Sequence, residues 1–175
     1  MYLNWPGFNE RGAVIIELSA EYFCLAKNTI VVHDDVFTPK EELHITLIGR
    51  KLGWIIEEKI KQNQKINKLL KKIFEAIDWS FKQTGPIHIL SRSKGAKLEM
   101  SIIMLIEMHG VTQFYQQLKA SGLIDAKTPV PPAHVTMYTH NCPSGIGLPS
   151  DETLNRLSKK TLSLNTLAGL CKQVT

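Results

Sequence analysis

Leu43-His44-Ile45-Thr46-Leu47 returns 90 residues later as Ala133-His134-Val135-Thr136-Met137. Each copy sets a histidine and a threonine between apolar residues, and that alternation is the period of a strand with one buried face. Leu43, Ile45 and Leu47 would enter a core while His44 and Thr46 stand together on the other side. Ala133, Val135 and Met137 would do the same for His134 and Thr136. Either copy alone reads as an ordinary half-buried strand. The pair is harder to dismiss. With six histidines in a chain that is 43% apolar, the pattern arises twice by chance in roughly one chain in a thousand.

Two such strands facing each other give two imidazoles and two hydroxyls around one small site. An unperturbed imidazole titrates near pH ~6.5, so one ring can be neutral while the other is protonated. The neutral ring takes a proton from water or a ribose 2′-hydroxyl, and the protonated ring gives one to a departing alkoxide. Threonine hydroxyls donate to the non-bridging oxygens of a phosphate without adding charge. This set suits phosphodiester cleavage with no cofactor and no metal. The residues leave open which histidine is base and which is acid.

The two apolar-flanked HxT motifs and their spacing resemble the two-histidine (2H) phosphoesterase superfamily. That group includes LigT-like RNA 2′,3′-cyclic phosphodiesterases, also called 2′-5′ RNA ligases. The resemblance implies an α+β fold of two pseudo-symmetric lobes of antiparallel sheet, with helices outside and a central cleft receiving both motifs. It implies that His44 and His134 are the catalytic pair and that Thr46 and Thr136 bind the phosphate. It further implies a nucleotide or an RNA end as substrate, with a cyclic phosphate or a 2′-5′ linkage at the reacting bond. Where LigT-like members often carry an arginine just after the second motif, this chain reads Met137-Tyr138-Thr139-His140. If the strand continues unbroken, Tyr138 shares the face of His134 and Thr136 and is placed to stack on a base.

Two other readings use the same residues. An inactive relative would hold a nucleotide or RNA end without turning it over. A metal-dependent hydrolase would recruit His44, His134 and a carboxylate such as Asp34.

The rest of the chain sets the frame. A length of 175 residues fits a single domain over residues 1–175, built as two lobes sharing a core. The net charge of +5 invites a nucleic-acid reading, yet Lys59, Lys61, Lys65, Lys68, Lys71 and Lys72 crowd one expected helix and read as a solvated face. Cys24, Cys142 and Cys171 are odd in number and lack CxxC spacing, which points away from a disulfide framework and toward a reducing cytoplasm. Residues 1–12 have no apolar h-region, so no signal peptide is expected. No apolar run is long enough to span a bilayer, and a monomer is expected.

Strands are predicted at Gly12–Ser19, Tyr22–Ala26, Thr29–Val32, Leu43–Ile48, Trp79–Gln83, Ile87–Ser91, Lys97–Met108, Ala133–Thr139 and Thr161–Thr166. His33-Asp34-Asp35 and Thr38-Pro39 read as a loop. A long amphipathic helix is predicted from Trp54 to Ile77, on the spacing of Ile66, Leu69, Leu70, Ile73, Phe74 and Ile77. A second helix carries Val111, Phe114, Tyr115 and Leu118 and ends at Gly122. A short third helix opens at Pro149-Ser150, with Asp151 and Glu152 in its first turn.

Overall fold

In the computed structural model of the protein, residues 1–23, 28–83, 86–163 and 165–167 are described. The chain runs through β1 (Val14–Leu18), a 3-10 turn (Ala20–Tyr22), β2 (Ile30–Val32), β3 (Asp35–Pro39) and β4 (Leu43–Ile48). Then come α1 (Arg50–Gln62), α2 (Lys65–Glu75), β5 (Ile87–Lys94), β6 (Lys97–Leu105) and α3 (His109–Ala120). β7 (His134–His140), α4 (Asp151–Leu157) and β8 (Ser158–Leu162) complete it. The fold is α+β. Six strands form a continuous antiparallel path in the order β1-β4-β7-β6-β5-β8, and the β2–β3 hairpin joins the edge of β7.

The core lies on one face of this path. Leu43, Ile45 and Leu47 of β4 and Val135 of β7 are buried with Ile16, Ile89, Ile102 and Met104 from the other strands. Ile56, Leu70, Phe74, Phe114 and Leu118 cover them from α1, α2 and α3. Aromatic edges fill the middle of that layer. Phe74 and Trp79 lie 4.6 Å apart between ring centroids, and Trp79 donates its indole N–H to the Phe74 carbonyl at 3.0 Å. Buried Tyr115 donates its hydroxyl to the Leu47 carbonyl at 2.9 Å, tying α3 to the end of the first motif strand.

A smaller apolar cluster sits on the opposite face. Leu90 and Ile103 of the sheet meet Cys142, Ile146 and Leu148 of the loop after β7, and Leu154 of α4. Ser150 caps α4 by accepting a bond from the Thr153 N–H at 3.3 Å. The second motif strand therefore has a wall built beside it by the segment that immediately follows.

Several elements differ from their sequence expectation. The long helix from Trp54 to Ile77 is two helices. Asn63 leaves the helical region at φ −148°, and its side-chain oxygen accepts the Lys65 N–H at 3.1 Å, so the side chain competes with the backbone ladder. The stretch His33 to Pro39 is a hairpin turn and a strand rather than a loop. His33 and Asp34 take φ of 50° and 70°, the left-handed pair of a two-residue turn, and Ile30 pairs with Phe37. Trp79–Gln83 contributes only a bridge between Lys82 and Glu107. β6 ends at Leu105 and β8 runs over Ser158–Leu162, earlier in each case than expected. Ala20–Tyr22 turns as a 3-10 helix with Phe23 capping its end, where a strand was expected; Cys24, Leu25 and Ala26 of that strand lie outside the described residues, as does Cys171. Cys142 is a buried free thiol.

No helix of the described residues is long and apolar enough to cross a membrane. The lysines of α2 lie on the side of the sheet away from the motif side chains, because Leu70 and Phe74 turn the helix's other stripe into the core. Exposed Lys65 and Lys68 can therefore be reversed to glutamate at a stability change within about 0.5 kcal/mol. Urea unfolding of the double variant checks this.

Candidate functional site

The site is built by one cross-strand contact. β4 and β7 run antiparallel and pair at Ile45 and Val135, the central apolar residue of each motif. Stepping one residue either way sets His44 opposite Thr136 and Thr46 opposite His134. All four side chains leave the sheet on the face opposite Ile45 and Val135, which are 1% and 0% exposed. Diagonal neighbours on one face of an antiparallel pair stand roughly 7–8 Å apart, so the two histidines are close neighbours on this face. A local two-fold axis through the Ile45–Val135 contact exchanges the motifs. Each histidine then faces the other strand's threonine.

The environments of the two rings differ. His134 is 8% exposed, and its Nδ1 lies 2.8 Å from the Pro132 carbonyl. A carbonyl only accepts, so Nδ1 carries the proton and Nε2 is left for the site. His44 Nδ1 is buried with no hydrogen-bond partner among the described residues. Burial pushes the His44 imidazole below its ordinary pKa; the Lys40 ammonium adds to that, while Glu42 and Glu17 oppose it. Burial also lowers His134, against the bond to Pro132, and the His44 charge lowers it further. That effect of His44 on His134 places the rings within electrostatic reach of each other.

Neighbouring strands complete the surroundings. Glu17 of β1 pairs with His44 across the strands and supplies a carboxylate beside it. Behind Thr136, Gly145 sits at φ +74°, where an added Cβ would lie 3.1 Å from the Thr136 methyl and 3.2 Å from its hydroxyl oxygen. The Ile146 N–H donates to buried Ser101 at 3.1 Å, fixing this loop over the sheet. His88 shares the face and the row of Thr136, with Ile103 between them. Two strand spacings, roughly 10 Å, separate it from Thr136, and its Nδ1 is engaged with Ser158 at 2.8 Å.

Tyr138 is not at the site. β6 advances from Ile102 to Ile103 while β7 steps from Tyr138 to Thr136, which leaves Met137 as the extra residue of a bulge. A bulge breaks the alternation, so Met137 and Tyr138 both enter the core and Thr139 returns to the site face. Tyr138, 0% exposed, is a packing residue and does not offer its ring to a base. The strand was expected to continue in phase; the extra residue turns it. His140 is likewise turned away, with its Nδ1 2.9 Å from the Val36 carbonyl. Asp34, the carboxylate of the metal-dependent alternative, is exposed in the β2–β3 turn. Among the described residues no group of three or more His, Cys, Asp or Glu is gathered as metal ligands would be.

Sequence reasoning did not find Glu17, Lys40, Glu42 or Gly145. Lys40 and Glu42 flank the first motif and Gly145 belongs to a Gly-x-Gly loop, which is the only trace they leave in the chain. Their roles depend on register and loop path.

The lowered histidines tie stability to pH. The unfolded chain takes up protons as pH falls below about 6.5, while the folded chain resists at His44, His134 and His88. Stability is thus full above that pH and declines below it. Urea midpoints between pH 7.5 and 5.5 should fall, and His134→Gln should flatten the slope; a flat wild-type profile would contradict the burial of these rings. Gly145→Ala should cost about 1–2 kcal/mol for left-handed backbone alone and also displace Thr136. Comparison of this chain with family models, with curated proteins and with solved structures finds no match.

Proposed function

We propose that the protein is a phosphodiesterase of the two-histidine type, acting on a cyclic phosphate, an RNA end or a 2′-5′-linked nucleotide. One observation carries this reading: the Ile45–Val135 pairing brings both HxT motifs onto one face in two-fold relation. The two-lobed 2H arrangement follows the same line. In that arrangement β1 and β4 of the continuous sheet would belong to one lobe and β7, β6, β5 and β8 to the other.

The phosphate sits between the rings, with the hydroxyls of Thr46 and Thr136 donating to its non-bridging oxygens. One neutral imidazole removes a proton from the attacking water, whose oxygen bonds to phosphorus. The other, protonated, gives its proton to the leaving oxygen as that P–O bond breaks. A full turnover leaves the proton count of the pair unchanged. His134 carries an added proton with its Nδ1–H already satisfied by Pro132. His44 has no such partner among the protein groups around its buried Nδ1. This difference favours His134 as the ring that enters protonated and His44 as the base. No metal is needed in this scheme, so activity should persist in chelator.

Replacing either histidine with alanine should lower kcat by about 10²–10⁴-fold. Valine at Thr46 or Thr136 removes one hydrogen bond to a charged group, which is about 1.5–3 kcal/mol. That corresponds to roughly 10- to 150-fold. The profile of kcat/KM against pH should be a bell, because the free enzyme needs one ring in each state. Since both rings are pushed down, its maximum should fall below pH ~6.5. A single limb, or full activity in His134→Ala, would refute the paired mechanism.

The second reading, a nucleotide- or RNA-end-binding module without turnover, draws on the same burial, which favours neutral rings at pH 7. Tight binding by wild-type protein with no hydrolysis of 2′,3′-cyclic nucleotides, ADP-ribose cyclic phosphate or 2′-5′ oligoadenylate would select it.

A further inference from the structure

Beside the motifs lies a cleft of about 490 Å³ whose walls come from both sides of the β4–β7 contact. One wall is Lys40, Glu41 and Glu42, and the facing wall is Thr139, Asn141 and Pro143. The first wall exists because the chain makes an excursion. Pro39 pairs with Tyr138 and Ile45 with Val135, so six residues of one strand advance against three of the other. The excess is thrown out as Lys40 to Glu42. The Lys40 N–H still bonds the Met137 carbonyl at 2.8 Å, so the excursion begins at the bulge that turned Tyr138 inward.

The cleft adjoins the motif site: Thr139 of its wall stands on the same face of β7 as Thr136, and two further features link them. Lys40 and Glu42 both act electrostatically on His44. The opposite wall runs from Pro143 to Gly145, which lies against Thr136, and Lys40 Nζ donates to the Pro143 carbonyl at 2.9 Å across the gap. The four motif side chains do not line the cleft themselves. It receives what is attached to the phosphate.

Its chemistry restricts what that group is. Among the described residues the lining has no Phe, Tyr or Trp ring, and Phe37 and Tyr138, next in sequence to Thr38 and Thr139, are buried. Glu41 and Glu42 are acceptors only, suited to hydroxyl or amine donors. Asn141 already donates its side-chain N–H₂ to the Leu98 carbonyl at 3.1 Å. The one ammonium is spent in part on Pro143, against two exposed carboxylates.

Resting on the phosphodiesterase reading, we infer that this cleft is the subsite for the organic group of the ester. That group is uncharged, rich in hydroxyls and of nucleoside size, such as a ribosyl unit. A substrate with a second phosphate there is disfavoured by Glu41 and Glu42. The enzyme is therefore selective for terminal mononucleotide-sized esters over extended phosphorylated chains.

The test compares adenosine 2′,3′-cyclic phosphate with its 5′-phosphorylated form in wild-type protein and in Glu41→Gln/Glu42→Gln. Wild type should prefer the unphosphorylated ester by about fivefold or more at low salt, with the ratio shrinking as salt rises. The double variant should bring the ratio close to one, chiefly through KM. Equal turnover of both by wild type, or an unchanged ratio in the variant, would overturn the subsite. In parallel, adenosine 3′-phosphate should shift the amide resonances of Lys40, Glu42 and Asn141, whereas inorganic phosphate should shift only the motif strands. Absence of those nucleotide-specific shifts would also overturn it. If wild type hydrolyses neither ester yet the shifts appear, the phosphodiesterase reading fails and the subsite stands.

Discussion

The pairing of Ile45 with Val135 is the contact on which everything at the site depends. Both side chains are buried in the main core, and the period of a strand forces their neighbours to the opposite face. A slip of one residue in either strand would send a histidine and a threonine into the core and bring apolar residues to the cleft. The core therefore protects the site. Each buried aliphatic side chain at this contact carries roughly 1.5–3 kcal/mol of burial, all of which a slipped register would forfeit. The Tyr115 hydroxyl bond to Leu47 locks the same register from the helix side.

Burial at the site works in two directions. It strengthens hydrogen bonds and charges around a phosphate, since field lines there pass through less water. It also disfavours an imidazolium, and both rings are pushed toward neutrality in the free protein. On the phosphodiesterase reading proposed above, an arriving phosphodiester would bring a negative charge between them and favour the protonated form of one. On that reading, substrate binding and acquisition of the working proton would be coupled. Glu17 and Glu42 lessen the penalty at His44, and Lys40 increases it, so the same loop that walls the cleft also tunes the ring beside it.

Much of this was legible in the chain because it rests on local pattern. The strand Leu43–Ile48 matches its expected bounds, α3 ends before Gly122 at φ +70°, and Ser150 caps α4. These follow from alternation, from a residue that tolerates left-handed backbone, and from a hydroxyl that reaches a free N–H. What was not legible depends on counting residues between strands. Nothing in Met137-Tyr138-Thr139 announces a bulge, because whether a residue is extra is decided by the partner strand. Tyr138 was assigned to the wrong face for that reason alone. The break at Asn63 was open to reading from its side chain, but the apolar spacing on both sides continued in phase and masked it.

The bulge at Met137 and the excursion at Lys40–Glu42 belong to one solution. Two long strands paired in perfect register would present a flat row of side chains, which on the proposed function has room for a phosphate and nowhere to put the rest of an ester. One extra residue in β7 turns the large Tyr138 ring under the sheet and brings the small Thr139 to its upper face. Three extra residues in the opposing chain then rise as a wall instead of continuing as strand. The loop carrying Pro143 and Gly145 returns on the other side, held by Ser101 and by Lys40. A concavity is therefore made by mismatching strand lengths next to a contact that cannot slip. Irregularity sits where a ligand needs space, and strict alternation sits where chemistry needs position. The chain meets both demands within a few residues of Ile45 and Val135.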